Sequence, residues 1–396
     1  VDFTFSEEQE AFRTSVRQLL ADHAPSTYVR QMLEDPAGIT DDLWRRMVDQ
    51  GWTGLLTDTS SAGTTASAGT SASNDTTASN STGGLLEAVI VAEETGRLPL
   101  PGPWLSSAVA GTLTALALGD DEVLADLAAG RRRATLALEE TGTRDPLDAA
   151  TMSVRVEPAA ASTGSSKNSR RLTGVKPMVL DGHTADVAYV VAPDPGAGEG
   201  ALATYAVERP AGQLVPTMDV TRKLARLALD RRPARRVGPP GDQTALLRRV
   251  VDDVGIVLCA ESVGACERAL DLAMDYAKAR VQFGRPIATF QVIKHKLVDM
   301  LHQLELARVA THYAAWASSV DDADRATAAA MAKGFVAEAA TMITGQSIQV
   351  HGGVGFTWDV DCHLLFRRVK ANDLLFGRQG WQRQRVADAV LGSPVR

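Results

Sequence analysis

The hydrophobic period of the chain changes twice, and no other feature constrains the fold as tightly. Phe12, Val16, Leu19 and Leu20 recur at helical spacing between Ser6 and about Glu34, and Ser6 with Gln9 three residues on matches a capping box. Helical patterning continues through Asp41 to Met47, Leu85 to Arg97, Trp104 to Ala117 and Glu122 to Ala129, punctuated by Gly and by Pro99, Pro101 and Pro103. Near Arg133 the pattern becomes ATLAL, SVRVEP, RLTGV, PMVL, VAYVVA, ATYAV and LARLAL, short β-branched runs separated by turn residues, which predict strands. After Pro239-Pro240-Gly241 long helical segments return at Thr244 to Lys278, Phe290 to Ser318, Ala323 to Gln349 and Leu374 to Leu391. The chain therefore reads as a mostly helical α+β protein: an N-terminal helical domain over 1–130, a central β domain over 131–240 and a C-terminal helical bundle over 241–396.

Thr57 to Gly84 stands apart, being almost entirely Ser, Thr, Ala, Gly and Asn with Asp58 and Asp75 as its charges. So little apolar surface does not offset the entropy of ordering, and the stretch reads as a solvated surface loop. The 396 residues suffice for a substantial core, and a net charge of -7 offers no basic field for nucleic acid. Cys259, Cys266 and Cys362 have no metal-ligand spacing and are an odd number, so reduced thiols and no metal site are expected. The segment VDFTFSEEQEAF is acidic and amphipathic, unlike a signal peptide, and no run approaches the ~20 apolar residues of a membrane helix. A cytoplasmic location is the expectation.

Two segments carry chemistry. In YAKARVQFGRPIATFQVIKHKLVDM, Tyr276 to Met300, a helix end leads through a turn at Arg280, Phe283 and Gly284 into a second helix. Arg280 offers a delocalised fork for phosphate oxygens, and Phe283 a flat surface for a base. In Gln349-Val350-His351-Gly352-Gly353-Val354-Gly355-Phe356, glycines at a helix end let backbone amides approach a pyrophosphate. His351 beside them is open to a cofactor contact or to packing, whereas His295, between Lys294 and Lys296, reads as a surface or interface residue.

Together these segments resemble the signature of the acyl-CoA dehydrogenase family. The resemblance covers nearly the whole chain and implies an N-terminal α-domain, a β-barrel-like middle and a C-terminal four-helix bundle, with the low-complexity stretch as an insertion. It implies FAD held across a subunit interface by Arg280, Phe283, Gln291, Gln349, Gly352 and Gly353. In the β domain the family's ring-contact turns are replaced by EETGTRDP, where Thr141 is a candidate contact, and by KPMVLDG, with Met178 where an aromatic would fall.

The implied reaction is α,β-dehydrogenation of an acyl thioester, which needs a carboxylate to take the α-proton. The segment matching the family's base is Leu375-Phe376-Gly377, and phenylalanine cannot accept a proton. The other family position falls near Val254, just after Asp252 and Asp253. Glu261, two helical turns further along the same face, is the leading candidate, paired to a buried arginine such as Arg308 or Arg367 if it is not the base. Asp253, Asp359 and Asp361 are rivals, and the remaining alternative is a chain with no base. HGGVGFTWDVDCHLLFRR, GRPIATFQVIKHK and GPWLSSAV resemble the actinobacterial branch that handles bulky and steroid side-chain acyl-CoAs. The implied partners are an acyl-CoA, an electron-transfer flavoprotein or similar acceptor, and further subunits in a homo- or heterotetramer. The alternative is a non-catalytic subunit that completes a partner's FAD site.

Overall fold

The computed structural model describes residues 5–57, 84–140, 144–158, 168–194 and 196–392. The low-complexity stretch, apart from its two ends, and Thr141 lie outside the described residues.

The N-terminal region consists of α1 (Glu7–His23), α2 (Ser26–Met32), α3 (Asp41–Asp49), α4 (Leu85–Gly96), α5 (Thr112–Leu118) and α6 (Asp121–Ala128). Ser6 and Gln9 form the reciprocal capping box at the start of α1. The single helix predicted to Glu34 is two, because Pro25 has no N–H to continue the ladder and instead opens α2. Between Trp104 and Gly111 the backbone runs as a buried π-helix before α5.

The strands are β1 (Ala134–Ala137), β2 (Arg155–Pro158), β3 (Ser169–Leu180), β4 (Val187–Pro193), β5 (Leu202–Glu208), β6 (Gln213–Val215) and β7 (Leu224–Val237). RLTGV and PMVL, predicted as separate runs, form one strand, β3, whose pairing with β7 shifts register between Leu172 and Gly174 and between Lys176 and Val179. The second irregularity accommodates Pro177, which cannot donate to a ladder. The sheet order is β1-β4-β5-β7-β3-β2, with β6 on β7. Among the described residues the end strands β1 and β2 do not pair with each other, so the central β domain expected between the two helical regions is present as an open sheet, barrel-like only loosely.

The C-terminal region holds α7 (Thr244–Ala279), a two-stranded hairpin of β8 (Val281–Gln282) and β9 (Arg285–Pro286), α8 (Gln291–Ser319), α9 (Arg325–His351), α10 (Cys362–Leu374) and α11 (Gln379–Leu391). α7, α8 and α9 pack on one another, and α10 and α11 pack on α9. α10 was not predicted as a helix. Its register buries Arg368 and Asn372 alongside Leu364, Leu365 and Val369, which blurs an apolar stripe.

Helix α4 crosses α7 at backbone contact. A Cβ on Gly96 would lie 2.0 Å from the Glu261 carbonyl oxygen, and one on Gly264 would lie 1.8 Å from that of Glu93. This crossing buries the Glu93 carboxylate among Arg13 (2.5 Å), His312 (2.7 Å) and Arg308 (3.7 Å), tying the N-terminal helices to the bundle. Among the described residues no helix is long and apolar enough to cross a membrane, and no cluster of metal-ligating side chains occurs.

Candidate active site

Two recesses contain the residues that carry chemistry. The first is a surface groove of about 510 Å³ at the end of the bundle, lined by Tyr276, Arg280, Gln282, Ile287, Val350, His351, Gly352, Gly353 and Val354. Arg280 caps α7 in extended conformation, its N–H donating to the Tyr276 carbonyl at 2.8 Å, and the chain turns back through the β8-β9 hairpin. Phe283 and Gly284 have φ of +52° and +78°, the left-handed pair of a tight hairpin turn. That geometry thrusts the Phe283 ring outward, 91 % exposed, in an edge-to-face arrangement with Phe290 at 6.1 Å between ring centroids. Arg280 has no carboxylate partner among the described residues. A Cβ on Gly352 or Gly353 would meet nothing, so open space lies above both glycines, and Gln291 and Gln349 are exposed nearby in sequence. An unpaired guanidinium, a free aromatic face and bare backbone are the donor set a dinucleotide needs, and these residues fit one. His351 is buried, bonded through Nδ1 to the Ser347 carbonyl at 2.8 Å and stacked on Tyr276 at 4.5 Å, which is packing geometry.

The second recess is a cleft of about 440 Å³ between the sheet and the bundle. Pro177, Met178, Pro216, Met218, Leu224, Leu374 and Leu375 make its apolar walls, and Glu139, Glu140, Asp219, Arg222 and Arg378 make its polar ones. Met178 is 41 % exposed here, an apolar surface at the position where the family resemblance calls for an aromatic.

Glu261 lies behind this cleft and not in it. Its carboxylate bonds Arg368 Nη1 at 2.6 Å, Asn372 Nδ2 at 2.8 Å and Arg222 Nη2, so its buried partners are Arg222 and Arg368 and not Arg308 or Arg367. Burial opposes its ionisation, but the two guanidiniums outweigh that and hold it below the usual carboxylate range. A carboxylate so held is a weak proton acceptor. Arg368 is fully buried and also bonds Asp219 at 3.0 Å and the carbonyls of Pro99 and Leu100. This network locks α7, α10 and the segment before β7 together.

The rival carboxylates also lie away from the cleft. Asp253 is buried against Ser318 at the end of α8, and burial pushes it up to about 6. Asp252 pairs with Arg385 at 2.6 Å, Asp361 with Arg30 at 2.6 Å, and Asp359 is exposed beside Thr357. Val254 is buried in the core.

Glu139, which the sequence reading passed over, lines the cleft. It accepts the Phe376 N–H at 2.6 Å. Burial raises it above the usual carboxylate range, against the amides of Phe376 and Gly377 and the charges of Lys333 and Arg378. Its neighbour Glu140 points the other way, to Lys176 Nζ at 2.8 Å and Ser153 Oγ at 2.6 Å, and is held low by Lys176 despite burial. The sequence signal was the Glu139-Glu140 pair at the end of β1, but nothing local told that one is paired and the other not.

A groove whose donors fit a dinucleotide and a separate amphipathic cleft between sheet and bundle suit an enzyme that uses a dinucleotide cofactor. Residues 6–126 and 252–391 match the models of the acyl-CoA dehydrogenase N-terminal and C-terminal domains. The chain is 31 % identical to acyl-CoA dehydrogenase IpdE2 of Mycobacterium tuberculosis, over 98 % of this chain and 99 % of that one. Among solved structures, a steroid ACAD variant, Tcur3481-Tcur3483, superposes with a TM-score of 0.79 at 26 % identity, covering 97 % of this chain and 98 % of that one. The ChsE4-ChsE5 complex from Mycobacterium tuberculosis does so with a TM-score of 0.79 at 25 % identity, covering 100 % of both chains. The chain belongs to the acyl-CoA dehydrogenase family, oxidoreductases acting on CH-CH groups, and the family implies a flavin.

Proposed function

We propose that the chain takes part in FAD-dependent α,β-dehydrogenation of a bulky or branched acyl-CoA, as a subunit of an oligomer that shares its dinucleotide sites across an interface. The observation that carries this reading is the exposed array of Arg280, Phe283, Gly352 and Gly353. It leads onto α8, where Val292, Val298, Leu301, Leu306 and Val309 are each more than 40 % exposed. Apolar side chains displayed along one helix in this way call for a partner surface. With a second subunit on that face, Phe283, Arg280, the amides at Gly352 and Gly353, and Gln291 and Gln349 would hold the dinucleotide. The bound flavin supplies two-electron oxidation. This chain's cleft excludes water with Met178, Met218, Leu374 and Leu375 and has the breadth for a branched or cyclic acyl group. The steroid ACAD named above supports that substrate class. An electron-transfer flavoprotein or similar acceptor completes the cycle, and the cytoplasm is the proposed setting.

A second reading, the non-catalytic subunit of a heteromer, is favoured by Phe376 where a base is required and by the doubly paired state of Glu261. The ChsE4-ChsE5 complex is the precedent for a heteromer. Purifying the chain alone and reading its mass, flavin absorbance and bleaching by straight, branched and cyclic acyl-CoAs separates the two. A yellow oligomer bleached by an acyl-CoA supports the first reading. A colourless chain that gains flavin and activity only with a second polypeptide supports the other, and a colourless monomer inert in all mixtures refutes both.

A further inference from the structure

Three carboxylates line the cleft, and they are not equivalent. Glu140 is tied to Lys176 and to the N–H and hydroxyl of Ser153. Asp219 is tied to Arg368 and to the N–H and hydroxyl of Thr221. Glu139 makes no salt bridge among the described residues, and its carboxylate accepts the Phe376 N–H at 2.6 Å. Its carboxylate therefore lies against the backbone of residue 376, where the sequence carries phenylalanine in place of the expected base. Phe376 itself is buried with φ of +54°, so its side chain does not occupy the cleft lining.

We infer that Glu139 is the proton-accepting carboxylate of the cleft, reaching from the end of β1 to the place that residue 376 has vacated. This rests on the dehydrogenase reading above. The carboxylate takes the α-proton of the acyl thioester and becomes the carboxylic acid. A bound flavin would supply the two-electron oxidation, the β-hydrogen leaving to it with its own pair while the freed Cα–H pair forms the α,β double bond. The amide anchor fixes the carboxylate, and the apolar walls keep it basic. Sharing its recess are Glu140, with Asp219 and Arg222 from the segment before β7, and Arg144 and Arg378, while the charge of Lys333 from α9 also acts on it. These set the pH at which it ionises.

The test uses the full chain in its flavin-loaded oligomer and follows deuterium entering the α-position of cyclohexanecarbonyl-CoA and butyryl-CoA in D2O, a readout that needs no electron acceptor. Glu139→Gln, which keeps the shape and the Phe376 bond, is expected to lower exchange by at least about 100-fold while binding of the same CoA esters, read by calorimetry, stays within about threefold. Glu139→Asp should recover part of the exchange with an altered pH profile, whereas Glu261→Gln should leave the exchange profile unmoved where the protein folds. Undiminished exchange in Glu139→Gln overturns the inference. So does a wild-type oligomer that holds flavin and binds these esters yet exchanges no α-proton, an outcome that leaves the shared flavin site standing. Flavin content, read separately, reports on that underlying site.

Discussion

Arg368→Met should be among the most damaging single substitutions in this protein. The guanidinium is fully buried and bonds the carboxylates of Glu261 (2.6 Å) and Asp219 (3.0 Å), the Thr221 hydroxyl and the carbonyls of Pro99 and Leu100. Methionine fills much of the volume and satisfies none of them. Removing one partner of a buried ion pair costs about 3–5 kcal/mol, because the remaining charge stays out of water. The orphaned carbonyls push toward the upper end, though terms within one network do not add. At roughly 2–4 °C per kcal/mol for a chain of this size, the melting temperature should fall by about 6–20 °C. Differential scanning fluorimetry at pH 7, backed by urea titration, reads this directly. A pH series sharpens it. Glu261 is held below its unfolded value of about 4.3, so its contribution is present above that pH and is lost as pH falls through the folded value. With one of its two cations gone the folded value rises, and Arg368→Met should begin losing stability nearer neutrality than wild type. In the double variant Glu261→Gln/Arg368→Met the combined loss should be clearly less than the sum of the two single losses. A melting temperature within about 2 °C of wild type, or strict additivity in that cycle, would refute the claim that these residues form one load-sharing network.

Other outcomes follow from the same geometry. Phe283→Ala removes a ring that is 91 % exposed, so the flavin-free melting temperature should stay within about 1 °C while flavin retention through gel filtration falls about tenfold, the worth of one stacking surface; equal flavin content in both proteins would refute its role. Gly264→Ala places a Cβ 1.8 Å from the Glu93 carbonyl, forcing α4 off α7, and should lower stability in urea by about 1–3 kcal/mol or more; a neutral result would refute the close crossing. For Asp253 the folded value, about 6, lies above the unfolded one, so the stability it contributes is fully present below about pH 4 and lost as pH rises through 6. Asp253→Asn keeps a partner for Ser318 without the buried charge and should gain stability at pH 7 but not at pH 4; equal effects at both would count against a buried carboxylate there.

Local sequence carried much of the architecture. Ser6 and Gln9 announced the first helix because a capping box is a contact between residues three apart, and the long helices of the bundle declared themselves through their 3.6-residue period. The strands were legible as runs, but the fusion of RLTGV and PMVL into β3 was not, since a bulge that tolerates Pro177 depends on the partner strand β7. α10 escaped notice because its buried face includes Arg368 and Asn372, polar residues whose burial makes sense only beside Glu261. Pro25 shows the converse, a single residue whose missing N–H divides a periodic segment that its apolar spacing would have joined.

The groove and the cleft divide along the same line. Arg280, Phe283, Gly284 and the Gln349 to Gly353 run could be recognised from sequence because a tight turn and a helix end are built from neighbours, and their chemistry is displayed outward. The standing of each carboxylate could not. Glu261 is paired by arginines 39 and 107 residues away, Asp253 is buried by a serine 65 residues away, and Glu139 meets an amide 237 residues away. Whether a carboxylate is a spent ion-pair partner or a base depends on which charges come within a few ångströms and on how much water is left. Distance and dielectric are properties of the packed chain, and only the tertiary structure decided them.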